Sequence, residues 1–145
     1  MEITLFSHAQ RYIGIREIGG AKNHPLIVWW HSLCDLKDTP DEVPWCSSFL
    51  NGVTWDLRLP RSKSAAARSW LEVGVPLGLH EAVIGFDIVV LRRGTPPQPG
   101  PEVTRGASGH VGIYAGSGML LGGNQHNEVS IAPFKSADVL GVRRL

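Results

Sequence analysis

Cys46 and His110 are the residues of this sequence whose types suit nucleophilic chemistry. Cys46 stands in the stretch PWCSSFLNGV, directly after Pro44 and Trp45. Because proline cannot continue a preceding helix, this cysteine is expected at a helix N-terminus. Unpaired backbone N–H groups and the helix dipole favour the thiolate there, and the thiolate is the nucleophile. His110 opens the stretch HVGIYAG and is the candidate base, so the pair predicts acyl transfer through a thioester.

Each of these residues also has an ordinary structural interpretation. Free cysteine is commonly a small buried hydrophobe, which is our interpretation of Cys34 in HPLIVWWHSLCDL. Along the predicted strand, Val111 and Ile113 share one face and His110 belongs to the other. His110 therefore reaches the thiol only if the strand end lies beside the helix of Cys46, and the sequence leaves this open.

A third polar group is offered by the stretch GGNQ at 122–125. In a cysteine–histidine pair, such a group holds the imidazole in the useful tautomer. Asn124 or Gln125 can supply an amide oxygen for this role. The alternative is an ordinary turn, since asparagine tolerates the left-handed backbone that turns require.

The segments that must position these groups divide the chain into a helical half and a β half. Turn signals support this division: GSG at 116–118 predicts a hairpin turn, and the proline-rich TPPQPGP at 95–101 predicts a surface loop. Helices followed by antiparallel strands predict one α+β domain over 1–145, with the helices on one side of a small antiparallel sheet. Apolar spacing predicts helices at 3–13, 24–36, 46–57 and 65–74, and strands at 87–91, 110–116, 119–123, 128–134 and 139–145.

Composition excludes several classes of function. The 145 residues carry a formal charge of +1, and the pairs Arg92-Arg93 and Arg143-Arg144 are typical of solvated surface, so no nucleic acid is expected as a partner. No apolar run reaches the ~20 residues of a membrane span, and no signal peptide precedes the helices, so we expect synthesis in the cytoplasm without membrane insertion. A reducing compartment disfavours a Cys34–Cys46 disulfide. The six histidines are scattered and show no metal-ligand spacing, so no metal is expected.

Five stretches taken together resemble a phage and bacterial family of small cysteine peptidases. The family groups with the NlpC-like and CHAP (cysteine, histidine-dependent amidohydrolase/peptidase) cell-wall hydrolases, which share a papain-like core. PWCSSF and GHVGIY, in this order, carry most of the resemblance, which runs from about Ile13 to the C-terminus. The stretches are DEVPWCSSFLNGV, ARSWLEVG, DIVVLRRG, SGHVGIYAG and LLGGNQHNEVSIAPF.

The resemblance implies a peptidoglycan hydrolase that cleaves an amide bond and needs no cofactor. Cys46 matches the family nucleophile and His110 the family histidine. NlpC-type members usually carry a second histidine where this chain has Gly122, so the third role must move. CHAP-type members take an acidic or amide residue from the neighbouring strand. On a regular strand Asn124 faces the same way as Gly122, which favours Asn124 over Gln125, although a kink at Gly-Asn-Gln reverses this choice.

The expected substrate contacts are Trp45 and Gln125, although the apolar neighbours of Trp45 favour a core position for it. The loop 92–108 is expected to form one wall of the groove. The resemblance implies that the protein functions as an endolysin-like amidase or endopeptidase. It would act as a monomer on peptidoglycan in the periplasm or cell wall, with a holin pathway or an immunity protein as a further partner. The alternatives are an acyl-transferring toxin or effector with the same dyad, and a non-catalytic phage structural module.

Overall fold

A six-stranded antiparallel sheet forms the frame of the molecule, in the order β1-β6-β2-β3-β4-β5. The computed structural model describes residues 3–145, so Met1 and Glu2 of the predicted domain lie outside the described residues. The predicted α+β class is confirmed. The strands are β1 Val75–Leu77, β2 Asp87–Arg92, β3 Gly109–Gly116, β4 Met119–Gln125, β5 Glu128–Pro133 and β6 Val139–Arg144. The helices are α1 Leu5–Ala9, α2 Pro25–Ser32 and α3 Cys46–Asp56, with 3-10 turns at Gln10–Tyr12, Ala67–Glu72, Leu79–Glu81 and Ser136–Asp138.

The helix α3 lies directly on β3 and β4 and carries the centre of the core. Its apolar residues Phe49, Leu50 and Val53 recur at helical spacing and are almost fully buried. A glycine on β4 permits this close approach, because a Cβ built on Gly123 would lie 2.6 Å from the Cβ of Phe49. The backbone of α3 is therefore held at a fixed height above the sheet.

Alternation along β2 divides the apolar side chains between the two faces of the sheet. Ile88 and Val90 join the large core under the helices. Val89 and Leu91 point the other way, into a smaller cluster that the segments around β1 and the end of β5 cover. Both faces are thus apolar, and β2 is buried along most of its length.

Two parts of the fold differ from the sequence prediction. The predicted helix at 65–74 is a 3-10 turn over Ala67–Glu72. Consecutive residues of this turn are buried, so it does not present the single apolar stripe of an amphipathic helix. The edge strand β1 was not predicted, because it has three residues and contains Pro76. It pairs with the last strand, β6.

Within residues 3–145, none of the helices has both the length and the apolar character needed to cross a bilayer.

Candidate active site

The candidate nucleophile, Cys46, is the first residue of α3 and is 5% exposed. Pro44 has no backbone N–H with which to continue a preceding helix. The helix therefore starts after it, at the cysteine. The sulfur therefore lies at the N-terminal end of an eleven-residue helix, where the dipole favours a negative charge.

Trp45 lies in the core, the position that its apolar neighbours favoured, and is not exposed for the substrate contact that was also expected. Its side chain is 0% exposed and stacks on Trp30, with ring centroids 5.9 Å apart. Its indole Nε1–H donates to Glu17 Oε1 at 2.9 Å. An aromatic residue buried with its polar atom satisfied is part of the core, and here it fixes the start of α3.

The position of the Cys46 sulfur answers the open question about His110. Val111 lies in the core under the helices, so alternation assigns His110 to the opposite face. The sulfur of Cys46 nevertheless lies beside the end of β3, close enough to the imidazole and to the backbone N–H of Val111 for both to lower the pKa of the thiol. The pairing of β3 with β4 begins only at Ile113, beyond these residues. The structure thus brings Cys46 and His110 together.

The other ring nitrogen of His110 contacts Gln125. His110 Nε2 lies 2.9 Å from Gln125 Oε1, an acceptor, so Nε2 carries a proton. This leaves Nδ1 available to the sulfur, since Nδ1 is buried and has no hydrogen-bond partner within residues 3–145. Gln125 therefore holds the imidazole with Nδ1 available to the neighbouring sulfur of Cys46.

Gln125 rather than Asn124 contacts the imidazole, which corrects the choice from strand alternation. The pairing of β4 with β5 shifts between Gly122, opposite Ser130, and Gln125, opposite Glu128. Three steps on β4 therefore match two on β5, which is a β-bulge. Asn124 adopts a left-handed backbone with φ 57°, so the following residue takes the face that Asn124 would have on a regular strand. Asn124 lies instead on the wall of a neighbouring cavity.

Every polar atom of the Gln125 side chain is already hydrogen-bonded, so none is free for the substrate contact expected from sequence. Its Nε2 donates to the carbonyls of Ser130 at 2.7 Å and Leu120 at 3.2 Å, and the residue is 8% exposed. A Cβ built on Gly122 would lie 2.9 Å from Gln125 Oε1. The absence of a side chain at Gly122 thus leaves the space that the amide of Gln125 occupies.

The charges of this site favour a thiolate–imidazolium pair. Burial raises the pKa of the Cys46 thiol, but the neighbouring His110, the Val111 N–H and the nearby Arg93 outweigh burial and hold that pKa below its ordinary value. Burial lowers the pKa of His110, while Cys46 and the Gln125 oxygen outweigh burial and Arg93 and raise it. Each ionised partner stabilises the other.

The pair opens onto a groove with two lobes. The lobe beside the sulfur is a cavity of about 350 Å³, whose walls are small side chains around Cys46 together with Arg93 and Ser108. The lobe beside the imidazole is a cavity of about 300 Å³, lined by His110, Asn124 and again Arg93. The predicted wall from loop 92–108 is therefore present. Arg93 was predicted as solvated surface, because a pair of arginines after a strand does not indicate that a groove lies beside it.

One buried arginine, which sequence analysis did not single out, fixes that loop. Arg68 is 0% exposed, and its guanidinium donates to four carbonyls of the loop: Pro99 at 3.0 Å, Gly100 at 2.8 Å, Val103 at 3.1 Å and Ser108 at 2.8 Å. Arg68 directly follows Ala65–Ala67, which line the opposite side of the lobe beside the sulfur. One side chain thus ties the two walls together.

Cys34 lies in a separate buried cluster. Burial raises the pKa of its thiol, more than its hydrogen bond to Ser48 lowers it. Ser48 Oγ also lies 2.8 Å from His31 Nδ1, and burial lowers the pKa of His31. Neutral groups sealed in the core fit the structural role predicted for Cys34. Among residues 3–145 no cluster of three or more histidine, cysteine or acidic residues could hold a metal ion.

Comparison with known proteins defines the class of fold. No family model matches the chain, and the comparison with curated proteins gives no match. The crystal structure of the P60 domain from an M. avium paratuberculosis antigen is similar, with a TM-score of 0.57 and 17% identity, covering 98% of this chain and 90% of that one. The structure of NlpC1 from Trichomonas vaginalis is similar with a TM-score of 0.52 and 15% identity, covering 97% of this chain and 42% of that one. The chain therefore has an NlpC/P60-like fold.

Proposed function

We propose that this protein is a cysteine hydrolase that cleaves an amide bond of peptidoglycan. The observation that carries the proposal is the placement of Cys46 beside His110, whose Nε2 lies 2.9 Å from Gln125 Oε1, with cavities next to the sulfur and next to the imidazole. A nucleophile, a base and a group that orients the base are the parts that covalent acyl transfer requires.

The catalytic cycle follows from the charges of the pair. The Cys46 thiolate attacks the amide carbonyl, and its oxygen becomes a tetrahedral oxyanion. The backbone N–H of Cys46, at the N-terminal end of α3, is positioned to donate to that oxygen, a contribution of about 2.7–4 kcal/mol in comparable sites. The His110 imidazolium then protonates the leaving amine as the carbon–nitrogen bond breaks. Neutral His110 next takes a proton from water, which cleaves the thioester and restores the thiolate.

Gln125 acts through His110 in this scheme. Its oxygen fixes the proton on Nε2, which directs Nδ1 to the sulfur. Because its own amide donates to two backbone carbonyls, the oxygen cannot rotate away and be replaced by nitrogen. An uncharged amide is sufficient, since the thiolate already compensates the imidazolium charge.

Peptidoglycan enters the proposal through the sequence resemblance and the fold. The stretches around Cys46 and His110 resemble those of NlpC-like and CHAP-type cell-wall hydrolases, and one similar structure is a P60 domain. A phage endolysin is the form of the proposal that we favour. An amidase and an endopeptidase require the same three residues, so the shape of the groove decides between them.

The test is digestion of purified peptidoglycan sacculi by the wild type and three variants. Cys46→Ala and His110→Ala are expected to lower the rate by at least about a thousandfold, because each removes a part of the covalent cycle. Cys34→Ala is the matched control, a second buried cysteine outside the groove, and is expected to keep the rate within about twofold. Sacculus digestion by Cys46→Ala at the wild-type rate would contradict the mechanism.

Mass spectrometry of the products then identifies the reaction. Release of whole stem peptides from the glycan identifies an amidase, and cut stem peptides identify an endopeptidase. Addition of a primary amine to the digestion separates hydrolysis from acyl transfer, since products that carry the amine would reassign the protein as a transferase.

A further inference from the structure

The residue Arg93 occupies a central place in the groove. It directly follows β2 and lines both lobes, the one beside the Cys46 sulfur and the one beside the His110 imidazole. Its side chain is exposed, so the guanidinium can reach a bound molecule. Arg93 is thus placed to contact whatever group lies on either side of the reacting carbonyl.

The groove gives Arg93 no carboxylate of its own. Arg16, Arg105 and Arg144 each make an ion pair with an acidic side chain, whereas Arg93 makes none within the part of the chain that the structure describes. Among residues 3–145, no aspartate or glutamate lines either lobe. Asp138 shares a third cavity of about 230 Å³ with Arg93 but does not form an ion pair with it.

The lobe beside the imidazole holds a second arginine. Arg92 lines it with Arg93. The Nε–H of Arg92 is buried and has no hydrogen-bond partner within residues 3–145. Cationic groups around a cavity with no anion of the protein favour a ligand that supplies one.

We propose that Arg93 is a specificity residue that pairs with a carboxylate of the substrate, adjacent to the amide that Cys46 attacks. The inference rests on the proposed function and deepens it. A guanidinium presents a planar fork of donors that fits a carboxylate in two hydrogen bonds. A carboxylate held there also offsets the repulsion between Arg93 and the imidazolium, and it fixes the carbonyl near the sulfur. The substrate is therefore a peptide with a free carboxylate next to the cleaved bond.

The first test needs no substrate and measures alkylation of Cys46 by two reagents of nearly equal size. Iodoacetate carries a carboxylate one carbon from the reacting atom, and iodoacetamide carries a neutral amide. In the wild type, Arg93 is expected to raise the rate ratio of iodoacetate to iodoacetamide. In Arg93→Gln this ratio falls about tenfold, the usual size of one lost charge-assisted hydrogen bond. Because both reagents need the same thiolate, the ratio is independent of the thiolate fraction.

Two controls keep this test specific. Arg11→Gln removes an exposed arginine outside the groove and leaves the ratio at the wild-type value. Peptide-resolved mass spectrometry follows Cys34 in the same samples, where the ratio does not respond to either variant. An unchanged ratio at Cys46 in Arg93→Gln, or an equal fall in Arg11→Gln, would overturn the assignment.

The second test uses sacculi in two forms, native and amidated with carbodiimide and ammonia, which convert carboxylates into carboxamides. Wild type is expected to digest native sacculi about tenfold faster than amidated ones, while Arg93→Gln digests both at the same low rate and Arg93→Lys keeps part of the preference. Equal digestion of both forms by the wild type would overturn the inference. Failure of the wild type to digest either form would refute the proposed function, and the alkylation ratio would still decide whether Arg93 binds a carboxylate.

Discussion

Replacing Gln125 by leucine tests the third member of the candidate site. Leucine has nearly the same volume as glutamine but carries neither the oxygen that faces His110 nor the amide that donates to Leu120 and Ser130. The substitution therefore removes the orientation of the imidazole and leaves Cys46 and His110 chemically intact.

The expected loss of activity follows from one hydrogen bond. The contact between Gln125 Oε1 and His110 Nε2 is 2.9 Å long, and its donor is charged when the thiolate–imidazolium pair forms. Hydrogen bonds to charged groups contribute about 1.5–3 kcal/mol. At about 1.36 kcal/mol per tenfold, kcat/KM on peptidoglycan should fall about 10- to 150-fold. The carbonyls of Leu120 and Ser130 also lose their donor, so the free energy of unfolding should fall by about 2 kcal/mol.

The pH profile gives a second reading that a purely structural role would not produce. Burial lowers the pKa of His110. The contacts with Cys46 and, next in size, the Gln125 oxygen raise it. Its removal lowers that pKa, so the imidazolium loses its proton at lower pH. The alkaline limb of kcat/KM should therefore move towards lower pH in Gln125→Leu.

The matched control is Asn124→Gly, one position earlier on β4. Glycine tolerates the left-handed backbone of Asn124, so this variant removes a second amide near the groove without backbone strain. It should keep wild-type kcat/KM within about threefold. Circular dichroism at the assay temperature checks that each variant is folded. If Gln125→Leu is folded and active within twofold of the wild type, or if Asn124→Gly loses as much activity, the assignment of Gln125 fails.

Three further predictions follow from the same contacts. His110→Ala should move the pH at which Cys46 becomes reactive to iodoacetamide upwards, because His110 lowers the pKa of that thiol; an unchanged alkylation profile would contradict the ion pair. Gly122→Ala should lower peptidoglycan digestion about tenfold or more, because its methyl group would start 2.9 Å from Gln125 Oε1, and wild-type digestion would show that this space is not needed. Arg68→Leu should lower the free energy of unfolding by about 3 kcal/mol in urea, because four carbonyls lose a buried charged donor; a loss under 1 kcal/mol would refute that role.

The sequence predicted those parts of the fold that depend on periodic patterns. The five predicted strands occur within two residues of their expected bounds, and a turn at Ser117–Gly118 joins β3 and β4. The start of α3 at Cys46 also follows from local chemistry, since Pro44 ends what precedes it. β1 could not be predicted from such patterns. It has three residues, contains a proline and pairs with β6 at the far end of the chain.

Within the site, local patterns identified the residue types but not their arrangement. The motifs predicted Cys46 and His110 as a pair. Their proximity depends on where the start of α3 lies relative to the end of β3, which the motifs do not specify. The exchange of Asn124 for Gln125 depends on a bulge against β5, which alternation along a single strand does not reveal. The apolar neighbours of Trp45 indicated its core position, but its contacts with Trp30 and Glu17 could not be predicted from them.

The four hydrogen bonds of Arg68 hold the two walls of the groove at a fixed separation. The walls cannot move apart unless the buried guanidinium gives up its four hydrogen bonds to backbone carbonyls. A ligand therefore meets a channel whose width is already established, and little ordering entropy opposes its entry. Changes in the preferred ligand should then arise from the small alanines along the rim, where one added methyl group narrows the channel, rather than from lengthening the loop.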